Sequence, residues 1–441
     1  MLPTTLADWL DHQQRVHPRA VALGLDRVRE VWARLGAPAP APVVITIGGT
    51  NGKGSTVAFL EAMLGAAGKR VGAYTSPHLL QYNERVRVAG RDADDAALMD
   101  AFGRIEVARS EIALTYFEYG TLAALLIFAA NALDVALLEV GLGGRLDAVN
   151  LIDADAAIVT TVDLDHQDWL GNDRESIGRE KAGIFRSGRP AIVGESNPPQ
   201  ALIEHAARIG ADLRVAGRDF RVDVQADAWR WSGWPEARDN GTFFESPANV
   251  MLPEPALAAP CQIDNAAAAI AALYALRGRL GWNPLAMGEG VASAHIAARL
   301  QRFGGDPALV IDVAHNPQAA NVLAAWLRGA RTNGRTLAVF GALGDKDVRG
   351  VVGALAADID AWFLAGLDQD SPRGLDARSL RAAVEATLAA STVHASEANA
   401  AAALAAAFAN AQCGDRVIAF GSFFVAAAAL RFAHERRLGV A

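Results

Sequence analysis

The stretch from Gly48 to Thr56 reads GGTNGKGST and follows an apolar run, Val43–Ile47. Successive backbone N–H groups in a glycine turn at a helix start bind phosphate, and the helix dipole adds to the attraction. Lys53 can reach the outer phosphates of a nucleotide, and Ser55 or Thr56 can hold Mg²⁺. The spacing is unusual. The common phosphate loop has four residues between its glycines and a hydroxyl directly after the lysine. Here Gly54 separates Lys53 from Ser55, and the loop is shorter. A tight strand–helix turn with an exposed lysine is the competing reading. The order of strand, glycines, lysine, hydroxyl and helix favours phosphate.

Other reactive groups also follow apolar runs. LDVALLEVGLGGRLDAVN delivers Glu139 at a strand end, where a carboxylate suits Mg²⁺ because that ion takes hard oxygen ligands. GLGGRLDA lacks the spacing of a dinucleotide fingerprint. IVTTVDLDHQDWLG delivers Asp163, Asp165, His166 and Asp168; His166 fits either a metal ligand or a packing histidine. Lys181, in SIGREKAGIFRSGRP, reads by itself as a solvated lysine on a mixed-charge helix. In the second half, LVIDVAHNP places Asp312, His315 and Asn316 after another strand. FGALGDKD and FGSFF repeat the pattern.

These groups need a scaffold of strand ends. Short β-rich runs at Val43–Ile47, Arg70–Tyr74, Val135–Glu139, Ala156–Thr161 and Pro190–Val193 alternate with helical segments such as Ser55–Ala67 and Phe117–Asn131. The pattern predicts a mostly parallel sheet covered on both faces. Residues from about 216 to 260 carry WRWSGW and RDNGTFF and predict a small antiparallel subdomain, with DNGT as a hairpin turn. GWNPLAMGEG reads as a linker. Alternation resumes with strands at Leu309–Asp312, Leu337–Phe340, Trp362–Ala365 and Arg416–Phe420, and EANAAAALAAAFANA reads as an alanine-rich helix. In open α/β sheets ligands bind outside the carboxyl ends of the strands, so the two halves are expected to face one another with ATP between them. At 441 residues the chain exceeds one ordinary core, which predicts two domains, 1–285 and 286–441.

A net charge of −8 with dispersed Lys and Arg argues against a nucleic-acid binder. Two cysteines without CxxC spacing argue against a disulfide scaffold or a Cys-ligated zinc. The N-terminal residues lack a signal-peptide pattern, and the apolar stretch near Leu122 is broken by Asn131, Asp134 and Glu139. A soluble, cytoplasmic protein with no membrane partner is expected.

Taken in order, GTNGKGS, TSPHL, NERVRV, LTYFEYGTLAAL, EVGLGGRLDA, DHQDWLG, REKAGIFRSGRP, DVAHNP, DKD and FGSF resemble the folylpolyglutamate synthases. They are most similar to the bacterial bifunctional dihydrofolate synthase/folylpolyglutamate synthases of the Mur ligase superfamily. The resemblance covers nearly the whole chain, and LTYFEYGT and the segment from DHQDWLG to FRSG are specific to the bifunctional branch. It implies an α/β fold with a P-loop ATPase domain, a mostly parallel sheet, a small antiparallel subdomain and a smaller Rossmann-like, glutamate-binding C-terminal domain.

The same resemblance implies that Thr50, Asn51, Gly52, Lys53, Gly54 and Ser55 hold ATP phosphates. Ser76, Glu139 and His166 would ligate Mg²⁺. Lys181 would be carbamylated and would organise a second Mg²⁺. Asn265 would contact adenine, while Arg299, Asp312 and His315 would reach ATP from the second domain. The pterin would lie along Thr115, Tyr116, Phe117 and Glu118, along Leu146, Asp147 and Ala148, and near Gly24 and Leu25. The chain departs from the family pattern at Ala297-Ala298, where Pro-Gly is usual before the arginine; at Asp264, before Asn265; and at Val149, where DATN is usual.

The implied reaction is ligation of L-glutamate to dihydropteroate and to tetrahydrofolates through an acyl phosphate, by a monomer. Lys53, His166, Lys181 and Arg299 are the implied catalytic groups. A monofunctional folylpolyglutamate synthase, another Mur-type ligase and a non-catalytic nucleotide switch are the alternatives.

Overall fold

The computed structural model describes residues 3–17, 22–235, 248–389 and 392–440. The chain divides into two compact units. One comprises Met1–Ala256 with Ile263–His295; the other comprises Leu257–Gln262 with Ile296–Ala441.

In the first unit the strands are β1 Val43–Gly48, β2 Val71–Tyr74, β3 Val86–Val88, β4 Arg91–Asp92, β5 Val135–Glu139, β6 Ala156–Val159, β7 Pro190–Val193 and β8 Asp212–Val215. They form one sheet in the order β4-β3-β2-β5-β1-β6-β7-β8. From β2 to β8 the pairs are parallel, and β3 and β4 add an antiparallel edge. Strands β1, β2, β5 and β6 are buried along their whole length, as a sheet covered on both faces requires. The Lys53–Ala66 helix buries Val57, Phe59, Leu60, Met63 and Leu64. The Tyr116–Ala129 helix buries every residue from Glu118 to Phe128.

The expected antiparallel subdomain is present as β9 Arg221–Val224, β10 Ala228–Ser232 and β11 Asn249–Pro253, in the order β11-β10-β9. DNGT lies outside the described residues. The expected linker GWNPLAMGEG is instead mostly helix, from Pro284 onward. Asn283 caps Pro284–Ser293 by accepting from Ala286 N at 3.2 Å, and Pro284 occupies the first helical position, where its missing N–H costs nothing. The last glycine of GWNPLAMGEG permits close packing: a Cβ on Gly290 would fall 2.5 Å from Met63.

The second unit has β12 Gln301–Phe303, β13 Ala308–Ile311, β14 Thr336–Phe340, β15 Ala361–Ala365, β16 Val393–Glu397 and β17 Arg416–Phe420. Their order is β12-β13-β17-β14-β15-β16, parallel except for β12. Trp362 packs edge-on to Phe340 and Phe420 in its core. The alanine-rich tract is the helix Ala400–Asn410. Among the described residues no helix is long and apolar enough to cross a membrane.

Candidate active site

Parallel register brings the carboxyl ends of β2, β5, β1 and β6 side by side: Ile47 pairs with Glu139, Gly48 with Val159, and Tyr74 with Leu138. The glycine loop leaves β1 here, and two of its glycines are required. Gly49 has φ 144°, and a Cβ would fall 1.8 Å from Thr160 Oγ1. Gly52 has φ 85°, and a Cβ would fall 2.3 Å from Asn265 Oδ1. Gly52 is also the N-cap residue of the Lys53–Ala66 helix, with Gly54 and the buried Ser55 in its first turn. A helix start of this kind attracts an anion.

The loop is laced to the end of β6. Thr50 N donates to Thr161 O at 2.7 Å, and Asn51 N to Thr161 Oγ1 at 3.1 Å. Thr160 Oγ1 donates to Asn51 O at 2.5 Å. Thr50 Oγ1 accepts from Asp163 N at 3.0 Å and donates to Asp163 O at 3.1 Å. Lys53 Nζ donates to Gly49 O at 2.9 Å and Thr50 O at 3.0 Å, so the ammonium folds over its own loop.

Glu139 is buried, and its Oε2 accepts from Ser76 N at 3.1 Å. The two expected metal ligands are therefore neighbours. His166 stands at φ 52° before the short helix Gln167–Leu170, its amide donating to Asp165 Oδ1 at 2.8 Å. A hydroxyl, a carboxylate and an imidazole beside a phosphate loop fit a hexacoordinate divalent ion that keeps waters or phosphate oxygens as further ligands. Among the described residues no group of three or more His, Cys, Asp or Glu is placed to hold a metal. The expected set holds two such groups, Glu139 and His166, and counts the Ser76 hydroxyl as its third member.

Lys181 is buried, not solvated as its sequence context alone reads. Burial, and next the charge of Lys53, push its amine down to about 7 against the pull of Asp165 and Asp147. Asp147 is pushed up to about 7 by burial, opposed by backbone N–H groups and by Lys53.

Three expected substrate-binding stretches meet. Gly24 N donates to Leu146 O at 3.3 Å, and Arg27 pairs with Glu118 at 3.1 Å. A Cβ on Gly141, which follows β5, would fall 2.7 Å from the Phe117 ring. Several of these side chains also do structural work. Thr115 and Glu118 form a capping box at the start of the Tyr116–Ala129 helix. Asp147 accepts from Leu142 N at 2.8 Å and Val149 N at 3.0 Å, shaping the glycine turn, and Ala148 begins the 3₁₀ turn that follows. Leu25 is core. Tyr116 packs edge-on to Tyr82 at 5.6 Å, and Arg85 lies over both rings.

In the second unit Asp312 follows β13. Its carboxylate accepts from Leu300 N at 2.8 Å and Ala314 N at 2.7 Å. Burial raises its pKa, opposed first by the charge of Arg299. Arg299 lies between Ala298 at φ 57° and Leu300 at φ 49°, and its guanidinium sits 5.6 Å from the centre of the Phe423 ring. His315 is 6.3 Å from the same ring and shares a hydrogen bond with Val313 O at 2.8 Å. Asn316 caps the helix Pro317–Gly329. Arg27, Thr160, Thr161 and Phe423 were missed from sequence. The hydroxyl pair at a strand end in VTTVD is a signal that could have flagged two of them.

Family models match at the Mur ligase middle domain, over residues 47–273, and at the Mur ligase, glutamate ligase domain, over residues 298–423. The dihydrofolate synthase/folylpolyglutamate synthase of Escherichia coli K12 is 44% identical over 434 residues, 98% of this chain and 97% of that one. The structure of E. coli FolC in complex with DHPP and ADP is similar at TM-score 0.88 and 44% identity, covering 98% of this chain and 99% of that one. A bifunctional folylpolyglutamate synthase/dihydrofolate synthase solved with Mn, AMPPNP and L-glutamate bound is similar at TM-score 0.86 and 41% identity, covering 98% of each chain. The chain belongs to the Mur ligase family. Within it, its relatives are the dihydrofolate synthase/folylpolyglutamate synthases, and the chain is an ATP-dependent ligase of their kind.

Proposed function

We propose that the chain joins L-glutamate to dihydropteroate and to tetrahydrofolates, as a cytoplasmic monomer. The observation that supports this is the side-by-side carboxyl ends of β1, β2, β5 and β6, where Glu139 ends β5 and from which the loop with Lys53, Ser76 and the Asp163–His166 segment follow. A substrate carboxylate oxygen attacks the γ-phosphorus of ATP, the bond to the β-phosphate oxygen breaks, and ADP leaves. The amine of L-glutamate attacks the acyl carbon of the resulting acyl phosphate. An amide forms, phosphate leaves with the attacking carboxylate oxygen, and the amine proton passes to solvent.

Thr50, Asn51, Gly52, Gly54 and Ser55 bind the phosphates through backbone and hydroxyl groups, and Lys53 places fixed positive charge beside the transferring group. Asn265, packed on Gly52, is assigned to the adenine side. Arg299, Asp312 and His315 are assigned to ATP binding. Ser76, Glu139 and His166 would hold Mg²⁺, which when bound offsets phosphate charge. Lys181 would take up CO₂ as a carbamate that organises a second Mg²⁺; a buried amine held down to about 7 is largely neutral above that pH and can attack CO₂. Gly24, Leu25, Thr115–Glu118 and Leu146–Ala148 would line the pterin side.

The test is ADP release from the purified protein with Mg-ATP and L-glutamate, supplying dihydropteroate or tetrahydrofolate in turn. Release with both is expected. Release with tetrahydrofolate alone would leave a monofunctional polyglutamate synthase, and release with neither would overturn the assignment.

A further inference from the structure

The segment that leaves β6 is gripped a second time, by side chains outside the phosphate loop. Val162 is fully buried, so both of its backbone polar groups need partners. Its N–H donates to Glu195 Oε1 at 3.1 Å, and its carbonyl accepts from Arg174 Nε at 2.8 Å. The two side chains are themselves paired, Arg174 Nη2 to Glu195 Oε2 at 3.1 Å, and the same nitrogen donates to Asn197 O at 3.0 Å. A guanidinium is planar, so its separate bonds fix direction as well as distance.

The three partners come from different places. Glu195 follows β7. Val162 immediately precedes Asp163, which Thr50 already holds from the phosphate loop. Arg174 is the first residue of the helix Arg174–Ala182, and Lys181 lies on that helix about two turns further on. The clamp therefore joins the start of the Lys181 helix to the loop that delivers Asp165 and His166.

We propose that Glu195 and Arg174 are positioning residues for the ligation: the pair sets the spacing between the His166 loop and Lys181, and thereby the geometry offered to the divalent ion. This rests on the function proposed above. The pair acts through Val162 and the helix start.

The experiment compares the full-length protein with Glu195→Gln and Arg174→Lys. Glu195→Gln removes the charge; Arg174→Lys keeps the charge but cannot make the directed bonds to Val162 and Glu195 together. Hydrogen exchange is measured on the unliganded proteins, and Mn²⁺ binding is followed by electron paramagnetic resonance at saturating AMPPNP. The expected result is exchange about tenfold faster in peptides spanning residues 160–171, with Mn²⁺ bound about tenfold more weakly. Peptides from the helix Phe423–Glu435 are unchanged. A purely structural role would lower the melting temperature without moving the Mn²⁺ affinity of the folded protein. Unchanged exchange, faster exchange with unchanged Mn²⁺ affinity, or loss of the fold in both variants overturns the proposal. If wild-type protein releases no ADP with either acceptor while the variants still alter exchange and Mn²⁺ affinity, the failure lies in the proposed function and not in the clamp.

Discussion

In the first unit the strand-end loops hold one another. Thr50 bonds Asp163, Asn51 bonds Thr161, and Ser76 bonds Glu139, each link joining neighbouring strands of the sheet. In the second unit Arg299 sits on a turn between two left-handed residues, Ala298 and Leu300, and the carboxylate of Asp312 ties that turn to the end of β13. The first arrangement spreads its hydrogen bonds over many partners, so loss of one hydroxyl leaves the others in place. The second depends on one carboxylate, which accepts from both Leu300 N and Ala314 N. The sensitivity of the two units to mutation should differ accordingly: the first through its charges and glycines, the second through its carboxylate.

Lys53→Ala carries the largest expected effect. It removes the cation from the loop, and turnover should fall roughly 10²–10³-fold with the melting temperature little changed. Steady-state ADP release checks it, and near-normal turnover would sink the role given to the loop. Next is Gly49→Ala. A methyl group meets Thr160 in a backbone region that L residues avoid, so a loss of about 3 kcal/mol in unfolding free energy is expected by denaturant titration. A third change turns to the second unit. Asp312→Asn keeps the shape of the side chain but can accept from only one of the Leu300 and Ala314 amides. Freeing a bond to a charged group costs about 1.5–3 kcal/mol, and kcat/KM for ATP should drop roughly 10–100-fold. An equal drop in a first-unit hydroxyl variant, Thr161→Val, would erase the contrast between the units.

The smallest effect concerns Ala298. The family pattern has glycine at this position, and here alanine adopts the left-handed conformation at φ 57°. Ala298→Gly should raise stability by up to ~1 kcal/mol, because a Cβ in that region is strained. Turnover should stay within about twofold if Asp312, not strain, holds Arg299 in place.

What was legible in the sequence follows from contiguity. The phosphate loop, Glu139 and Asp312 each sit in a short run whose apolar half names a strand and whose polar half names a strand end, so residue type and position arrive together. The grouping of the parallel strands into two sheets was legible for the same reason. The Glu195–Arg174 clamp was not. Its members lie 21 residues apart and bond to a valine whose own side chain gives no hint. The helix at Pro284 was misread because proline and glycine also serve as a first-turn residue and a close-packing residue. The capping box in TYFE was available from spacing alone, yet the substrate role implied by resemblance masked it. The burial of Lys181 could not be read, since its charged neighbours Arg179 and Glu180 belong to other faces of the same helix.

The acyl phosphate is the central claim, and isotope transfer tests it most directly. Dihydropteroate carrying ¹⁸O in its carboxylate is incubated with the protein, Mg-ATP and L-glutamate, and the released phosphate is weighed by mass spectrometry. The account predicts one ¹⁸O in each phosphate formed with the amide product, because the attacking oxygen leaves with phosphorus. Phosphate without label, alongside the amide, would contradict it.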